Sequence, residues 1–437
     1  FLEDVQAMGF DVVYLPPIHP IGRTARKGKN NSLVAEPDDV GSPWAIGAAE
    51  GGHKAVHPRL GTLEDFGRFV QGANRRGIEV ALDMAFQVSP DHPYVKEHPE
   101  WFSWRPDGTL KTAENPPKRY EDISNFDWLG PAHDALWAEL ESVIVFWIER
   151  GVRIFRVDNP HTKPIPFWEW VIRRIQDVYP DVVFLAEAFT RPKVMKRLAK
   201  VGFSQSYTYF TWRNFKQELQ DYLEELTQSE VAEYMRGNLW PNTPDILPEV
   251  LQEGGRPAFK IRIALAATLS SVYGVYSGYE LLENTPVKPG KEEYLDSEKY
   301  RLVARDWDKP GNIRPYMTAL NRIRRENPAL LEYKNLRFYR ADNDRVIFYG
   351  KRSRDGTNTV LVAVSMDPYA EQESVLHVPL HELGVSGAPF EVREQLTDRR
   401  ALWQGPTTTV RLTPEAPAAI WQVLPLRNTE KSFDYYY

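Results

Sequence analysis

Short apolar runs alternate with amphipathic stretches along about the first three quarters of the chain. VVYLPPI (residues 12–18) and IEVALDMAF (78–86) read as buried strands, followed by runs ending at residues 158 and 187. SQSYTYF (204–210), LWPNTPDIL (239–247) and SVYGVYSG (271–278) complete a series of seven. Uninterrupted apolar runs of this length suit strands covered on both faces, as in parallel sheets. Between them lie segments with helical spacing. LGTLEDFGRFVQGANRRG (60–77) has Thr62 as an N-cap and Gly77 as a C-cap. AHDALWAELESVIVFWIERG (132–151), IPFWEWVIRRIQDVYP (165–180) and KIRIALAATLS (260–270) are further helices. Repeated strand–helix units predict a (β/α)8 barrel of the TIM type, α/β in class, with one strand missing. The chain opens with Phe1 inside an amphipathic stretch, FLEDVQAMGF, so the expectation is a cut N-terminus with the first strand upstream. A doubly wound sheet is the structural alternative, but no Gly-rich phosphate fingerprint follows any strand.

The pattern changes twice. Residues 89–131 are rich in Pro and Trp and read as a loop-rich subdomain inserted in a barrel of residues 1–333. After the helix NIRPYMTALNRIRREN (312–327) the period becomes two, in LRFYRA, RVIFYGKRS, NTVLVAVSMD, SVLHVPL, TTTVRL and AAIWQVLPL. Residues 334–426 are therefore expected to form an all-β sandwich, and 427–437 a loose tail.

The bulk numbers narrow the function. A net charge of −6 over 437 residues carries no basic footprint, so nucleic acid is not an expected partner. No run approaches a membrane span. The chain has no cysteine, which removes disulfides and thiolate metal sites and fits a cytoplasmic protein. His53, His57, His92 and His98 have no metal-ligand spacing, and no metal or cofactor is expected. Aromatic residues are abundant (13 Trp, 21 Tyr, 20 Phe), and Trp44, Trp101, Trp104, Tyr120, Trp128, Tyr209, Trp212 and Trp240 sit in polar, loop-like company. Sugar-ring stacking or core packing both account for such residues. For Trp101 and Trp104 the choice lies between an acceptor path and pinning the inserted subdomain.

The segment GVRIFRVDN (151–159) carries the sharpest chemistry. Alternate strand residues share a face, so Arg156 and Asp158 point the same way. An adjacent cation keeps a carboxylate ionised, as a nucleophile requires. The next strand, VVFLAEAF, holds Glu187, and NTPDIL presents Asp245. A buried carboxylate such as Glu187 is costly unless used or paired. Three acids at the ends of successive strands suit a retaining glycosidase or glycosyltransferase, with a nucleophile, an acid/base and a helper. His161 lies near Asp158, where a local hydrogen bond is expected.

With these residues the chain resembles the α-amylase superfamily (glycoside hydrolase family 13) over nearly its whole length, in VVYLPPI, DMAFQ, FRVDN, LAEAF and NTPDI. The resemblance implies Asp158 as nucleophile, Glu187 as acid/base, Asp245 as transition-state stabiliser and Arg156 as support for the nucleophile. Two departures narrow it. Pro244 precedes Asp245, and the third strand runs on to Gln87, where most α-amylases have histidines. LPPIHPIGRTARKGKNN, FQVSPDHP, NPPKRYEDI, RVDNPHTKP, WPNTPDIL and LDSEKY are similar to the α-1,4-glucan:maltose-1-phosphate maltosyltransferases of that superfamily. This resemblance implies Lys27, Asn115, Lys118 and Tyr120 as donor-phosphate contacts, and Gln87, Asn159 and Lys299 as sugar contacts. It implies a maltose-1-phosphate donor, an α-1,4-glucan acceptor and no cofactor, with homodimer formation by N-terminal domains outside this chain. A phosphomonoester carries about −1.5 to −2 charge, so lysines must offset its repulsion by three acids. The alternatives are an α-glucan hydrolase, a trehalose-forming isomerase, and, from a different class, a non-catalytic glucan-binding scaffold.

Overall fold

The computed structural model describes residues 1–115, 118–383, 385 and 389–424, apart from the side chains of Asn115 and Lys118. The tail expected at 427–437, and the last two residues of the 334–426 segment, lie outside the described residues.

Helix α1 (Leu2–Ala7) leads into strand β1 (Val12–Leu15), which stops before Pro16 and Pro17, residues with no N–H to offer a ladder. Helix α2 (Leu63–Asn74) follows, then β2 (Glu79–Met84). Thr62 caps α2 in a reciprocal capping box with Asp65. The helix ends at Arg75 rather than Gly77, which lies two residues beyond, in the left-handed region at φ +71°. Residues 89–131 hold the short helix α3 (Pro93–Glu97) and an antiparallel hairpin, β3 (Thr112–Asn115) and β4 (Lys118–Ser124). The alternation resumes with α4 (His133–Ile148), β5 (Ile154–Asp158), α5 (Ile165–Val178), β6 (Val183–Glu187), α6 (Pro192–Lys200) and β7 (Gln205–Tyr207). It continues with α7 (Lys216–Gln228), β8 (Gly237–Leu239), α8 (Glu249–Glu253), α9 (Gly255–Leu269) and β9 (Val272–Tyr273), before α10 (Arg314–Glu326).

The seven strands form one parallel, curled sheet in the order β1-β2-β5-β6-β7-β8-β9. Among the described residues β1 and β9 each pair on one side only, and across that edge the rings of Phe10 and Tyr273 stand 6.1 Å apart. All five residues of β5 are buried, as a central strand covered on both faces requires. The inner faces of α2, α4 and α5 supply much of the cover, through Phe66, Val70, Leu136, Val143, Trp147, Phe167, Trp168 and Ile172.

The C-terminal part is a sandwich. Six antiparallel strands run in the order β10 (Leu336–Tyr339), β11 (Val346–Arg352), β12 (Thr359–Ser365), β17 (Ala418–Val423), β14 (Phe390–Glu394) and β15 (Arg400–Trp403). A separate pair is formed by β13 (Gln372–His377) and β16 (Thr407–Leu412), with the short helix α11 (Leu380–Leu383) after β13. Strands β14 and β15 do not stand out in the sequence: in β15 only Trp403 is buried, so its alternation is absent. The apolar faces of β11 and β12 share a core with α9, through Ile263, Leu265, Tyr349, Val360 and Val362, which ties the sandwich to the barrel. No helix among the described residues is long and apolar enough to cross a membrane.

Candidate active site

Parallel strands aim their C-terminal ends at one face, and the register sets Asp158 of β5 directly beside Glu187 of β6. Both are buried. Arg156, two residues before Asp158, turns its guanidinium into the same cluster. Its Nη1 donates to Asp83 Oδ2 at 2.7 Å and to Asp158 Oδ1 at 2.9 Å, and Nη2 lies 3.6 Å from Glu187 Oε2. Tyr14 of β1 donates its hydroxyl to Asp83 Oδ2 at 2.5 Å. One buried cation thus serves three carboxylates. Burial pushes Asp83 up to about 7, opposed by Arg156 and reinforced by Asp158. Burial likewise raises Glu187, against Arg156 and with help from Asp158 and Asp245. A carboxyl raised in this way holds its proton near neutrality and is suited to general-acid work.

The second oxygen of Asp158 faces a different set. Oδ2 accepts from Gln87 Nε2 at 3.0 Å and, more loosely, from Asn159 Nδ2 at 3.4 Å. Asn159 adopts φ +42°, ψ 53°, left-handed geometry that asparagine tolerates better than most residues. That turn directs its backbone N–H at Glu187 Oε2, 3.1 Å away.

Asp158 opens into a cavity of about 320 Å³ that is also lined by Lys27, Gln87, Tyr120, Asn159, Asp245 and Lys299. Glu187 and Arg156, both in contact with the Asp158 cluster, are not part of that lining. Asp245 sits in the turn after β8, its N–H bonded to Thr243 Oγ1 and its carboxylate ion-paired with Lys299. Lys299, expected as a sugar contact, therefore meets Asp245 first, with its ammonium 5.4 Å from the Tyr300 ring centroid. Lys27 is buried, contrary to the usual fate of an Arg-Lys-Gly-Lys loop, and pairs with Glu121 of β4. The backbone of Asn115 and Lys118 belongs to the hairpin that bears Tyr120, but their side chains lie outside the described residues. The neighbouring Arg119 does line the cavity.

The choice left open for three tryptophans falls to packing, and one expectation for a histidine needs correction. Trp101, Trp128 and Trp240 are buried, and Trp101 stacks on His98 at 3.8 Å, so these rings pin the surrounding segments. Trp104 is half exposed, its Nε1 donating to the Pro99 carbonyl. His161 Nδ1 is buried without a hydrogen bond, where a local bond was expected, and burial lowers the ring to about 4.

Residues 338–423 match the family described as GLGE, C-terminal. Over all 437 residues the chain is 69% identical to the alpha-1,4-glucan:maltose-1-phosphate maltosyltransferase of Myxococcus xanthus, covering 66% of that protein. Over 97% of its length it is 58% identical to the protein of the same name from Rhodospirillum rubrum, covering 62% of it. The chain belongs to this maltosyltransferase family. It spans somewhat less than two thirds of the length of these relatives. The α-amylases of Geobacillus thermoleovorans and an Anoxybacillus share its fold. Their TM-scores are 0.72 and 0.74 at 17% and 18% identity, over 97% and 98% of this chain and 90% of each of theirs.

The cavity also holds residues that sequence reasoning did not place there. Asp122, Lys163, Glu293 and Tyr300 line it, each from a loop or hairpin rather than a strand end, as does Trp44, one of the aromatic residues for which sugar stacking was considered. Asp122 and Lys163 are almost fully buried, with burial raising the carboxyl and lowering the ammonium. The only available signal for Lys163 was its proximity to Asp158 in RVDNPHTKP.

Proposed function

We propose that this site moves maltosyl units from α-maltose-1-phosphate to the non-reducing end of α-1,4-glucans, with release of phosphate. The observation that carries the reading is Asp158, ionically held by Arg156 and open to a cavity that also contains Lys27, with Glu187 beside it on the next strand. Asp158 attacks the anomeric carbon from the β side. The bond to phosphate breaks, and the phosphate leaves with its electron pair and a proton from Glu187. Phosphate is a better leaving group than a sugar hydroxyl, so this step asks little of the acid. In the second step a glucan 4-hydroxyl gives its proton to Glu187, and its oxygen displaces Asp158 with net retention. Asp245, held by Lys299, stabilises positive charge developing at the sugar ring. Lys27, Asn115, Lys118 and Tyr120 are assigned to the donor phosphate, and Gln87, Asn159 and Lys299 to the sugar. Catalysis is assigned to residues 1–333, with the insertion at 89–131, and the sandwich to 334–426. The absence of cysteine supports a cytoplasmic setting. Homodimer formation is attributed to N-terminal domains outside this chain.

The test is phosphate release from maltose-1-phosphate by the complete protein that contains this chain, with and without maltohexaose. Acceptor-dependent phosphate, with products two glucose units longer, is expected. Reducing ends formed from starch without phosphate, or trehalose formed from maltose, would replace this reading with the hydrolase or the isomerase.

A further inference from the structure

Lys163 follows Asp158 by five residues, in the turn after the β5 strand, and is only 5% exposed. Its three N–H bonds have three oxygens within reach: Gln87 Oε1 at 3.1 Å, the Asp158 carbonyl at 3.2 Å and the Asn159 carbonyl at 3.4 Å. An ammonium donates and never accepts, whereas a glutamine amide presents an oxygen on one side and NH₂ on the other. Lys163, which only donates, and the Asp158 carboxylate, which only accepts, together fix which way the Gln87 amide faces. With its oxygen drawn to Lys163, its NH₂ is aimed at Asp158 Oδ2, 3.0 Å away. Without that donor the Gln87 oxygen loses the group that anchors it, and of the two partners only Asp158 Oδ2 still holds the amide in place.

The same ammonium acts on the other acid. The carbonyl of Asn159 is held from one side by Lys163 and from another by Thr162 Oγ1 at 2.8 Å. This grip maintains the left-handed turn that sends the Asn159 N–H to Glu187 Oε2.

We infer that Lys163 is a positioning residue for glycosyl transfer: it orients the Gln87 amide and the Asn159 turn so that Asp158 and Glu187 each keep their hydrogen-bond donor. The inference rests on the maltosyltransferase reading of these two acids. Lys163 acts through Gln87 and Asn159, so its loss is expected in the chemical step more than in donor binding.

The experiment uses the complete enzyme with maltose-1-phosphate and maltohexaose. Lys163→Met keeps the buried stem and removes the donor. Its kcat is expected to fall about 100-fold, the scale of a small misplacement at a reacting centre, with KM for maltose-1-phosphate within about threefold of wild type. In a Gln87→Met background the same substitution is expected to cost less than about tenfold, because residues acting through one another are not additive. Should Lys163→Met fail to fold, Lys163→Gln, whose amide turns either way, takes its place in the same cycle. Unchanged kcat, a rise in KM alone, or full additivity with Gln87→Met overturns the positioning role. A wild-type enzyme that releases no phosphate from maltose-1-phosphate would instead bring down the underlying reading.

Discussion

At the C-terminal end of β2, Asp83 joins a cluster of charged groups, whereas the carbonyl of Ala85, two residues on, anchors a cluster of neutral ones. The second cluster is three buried histidines. The Tyr94 N–H donates to His92 Nδ1 at 3.1 Å, which leaves His92 Nε2 to donate to His53 Nδ1 at 3.2 Å. His53 Nε2 then donates to the Ala85 carbonyl at 2.8 Å, and His19 Nδ1 to that of Ala55 at 2.9 Å. Burial lowers His19 to about 3 and His53 to about 4, and takes His92 well below its ordinary value. The rings are neutral, and most of their nitrogens are committed to bonds inside the protein. Around Arg156 the opposite solution holds: three acids share one cation, two of them are pushed upward, and Asp158 keeps an oxygen toward a cavity. Burial of titratable groups is common to both clusters and does not mark a site. Like charges crowded at a cavity wall do.

The largest expected effect separates the clusters by activity. Asp158→Asn keeps the shape of the side chain but removes the nucleophile, and transfer should fall about 10⁴-fold without loss of fold. Glu187→Gln should cost less, about 10²–10³-fold, and should release phosphate once per active site and then stall, since the acceptor hydroxyl has lost its base. Rapid-quench phosphate measurement checks both. Repeated turnover at near wild-type rate in Asp158→Asn would dissolve the distinction between the clusters.

Stability should sharpen it, because the two clusters respond to pH with opposite sign. A histidine whose folded pKa lies below its unfolded value of about 6.5 leaves the unfolded chain binding more protons below that pH. The contribution of the neutral histidine cluster is therefore present above about pH 6.5 and lost as pH falls toward 4 and 3. From pH 7 to pH 4, His19 alone should account for about 3 kcal/mol. Asp83 runs the other way: raised to about 7, it stabilises the fold below about pH 4, and that contribution is lost as pH rises through 7. Denaturant unfolding at several pH values should show His19→Gln reducing the acid-side loss and Asp83→Asn reducing the loss toward neutrality. Identical pH profiles for both variants and the wild type would mean that neither cluster sets the dependence.

The smallest effect concerns a buried cation that belongs to the cavity but not to the carboxylate cluster. Lys27→Met should raise KM for maltose-1-phosphate about tenfold with little change in kcat, the scale of one charge-assisted hydrogen bond. Glu121→Gln, which releases Lys27 from its half-exposed partner, should not raise KM. Initial-rate kinetics with phosphate detection distinguishes the two, and a kcat loss in Lys27→Met would bring Lys27 into the chemistry.

Six of the seven parallel strands were legible as short runs between helical repeats, whereas the run expected at 239–247 meets its strand, β8, only at Leu239, because Gly237-Asn238-Leu239 has no apolar run to announce it. The position of Asp158 followed from strand alternation with Arg156. Less of the cavity wall was legible. Trp44, Asp122 and Tyr300 reach it only because a loop, a hairpin and a turn fold back over the strand ends, and no local period announces that. Trp101, Trp128 and Trp240 look alike in sequence, in polar company, and yet all turn inward. Strand β15 was hidden because an edge strand with three exposed positions shows no apolar period.

The amino-acid sequence by itself determined most of the parallel strand series, the period-two sandwich, and Asp158 and Glu187 at their strand ends, because periodicity and strand alternation act within a few residues of each other. Asp245 lies instead in the turn after β8. Only the tertiary structure decided that Lys27 and Lys299 are each paired with an acid, that three histidines are neutral, and that Lys163 and Asp158 hold the Gln87 amide between them. Pairing, burial and amide orientation depend on which groups distant in the chain come within 3 to 4 Å of one another, and only the packed fold brings them there.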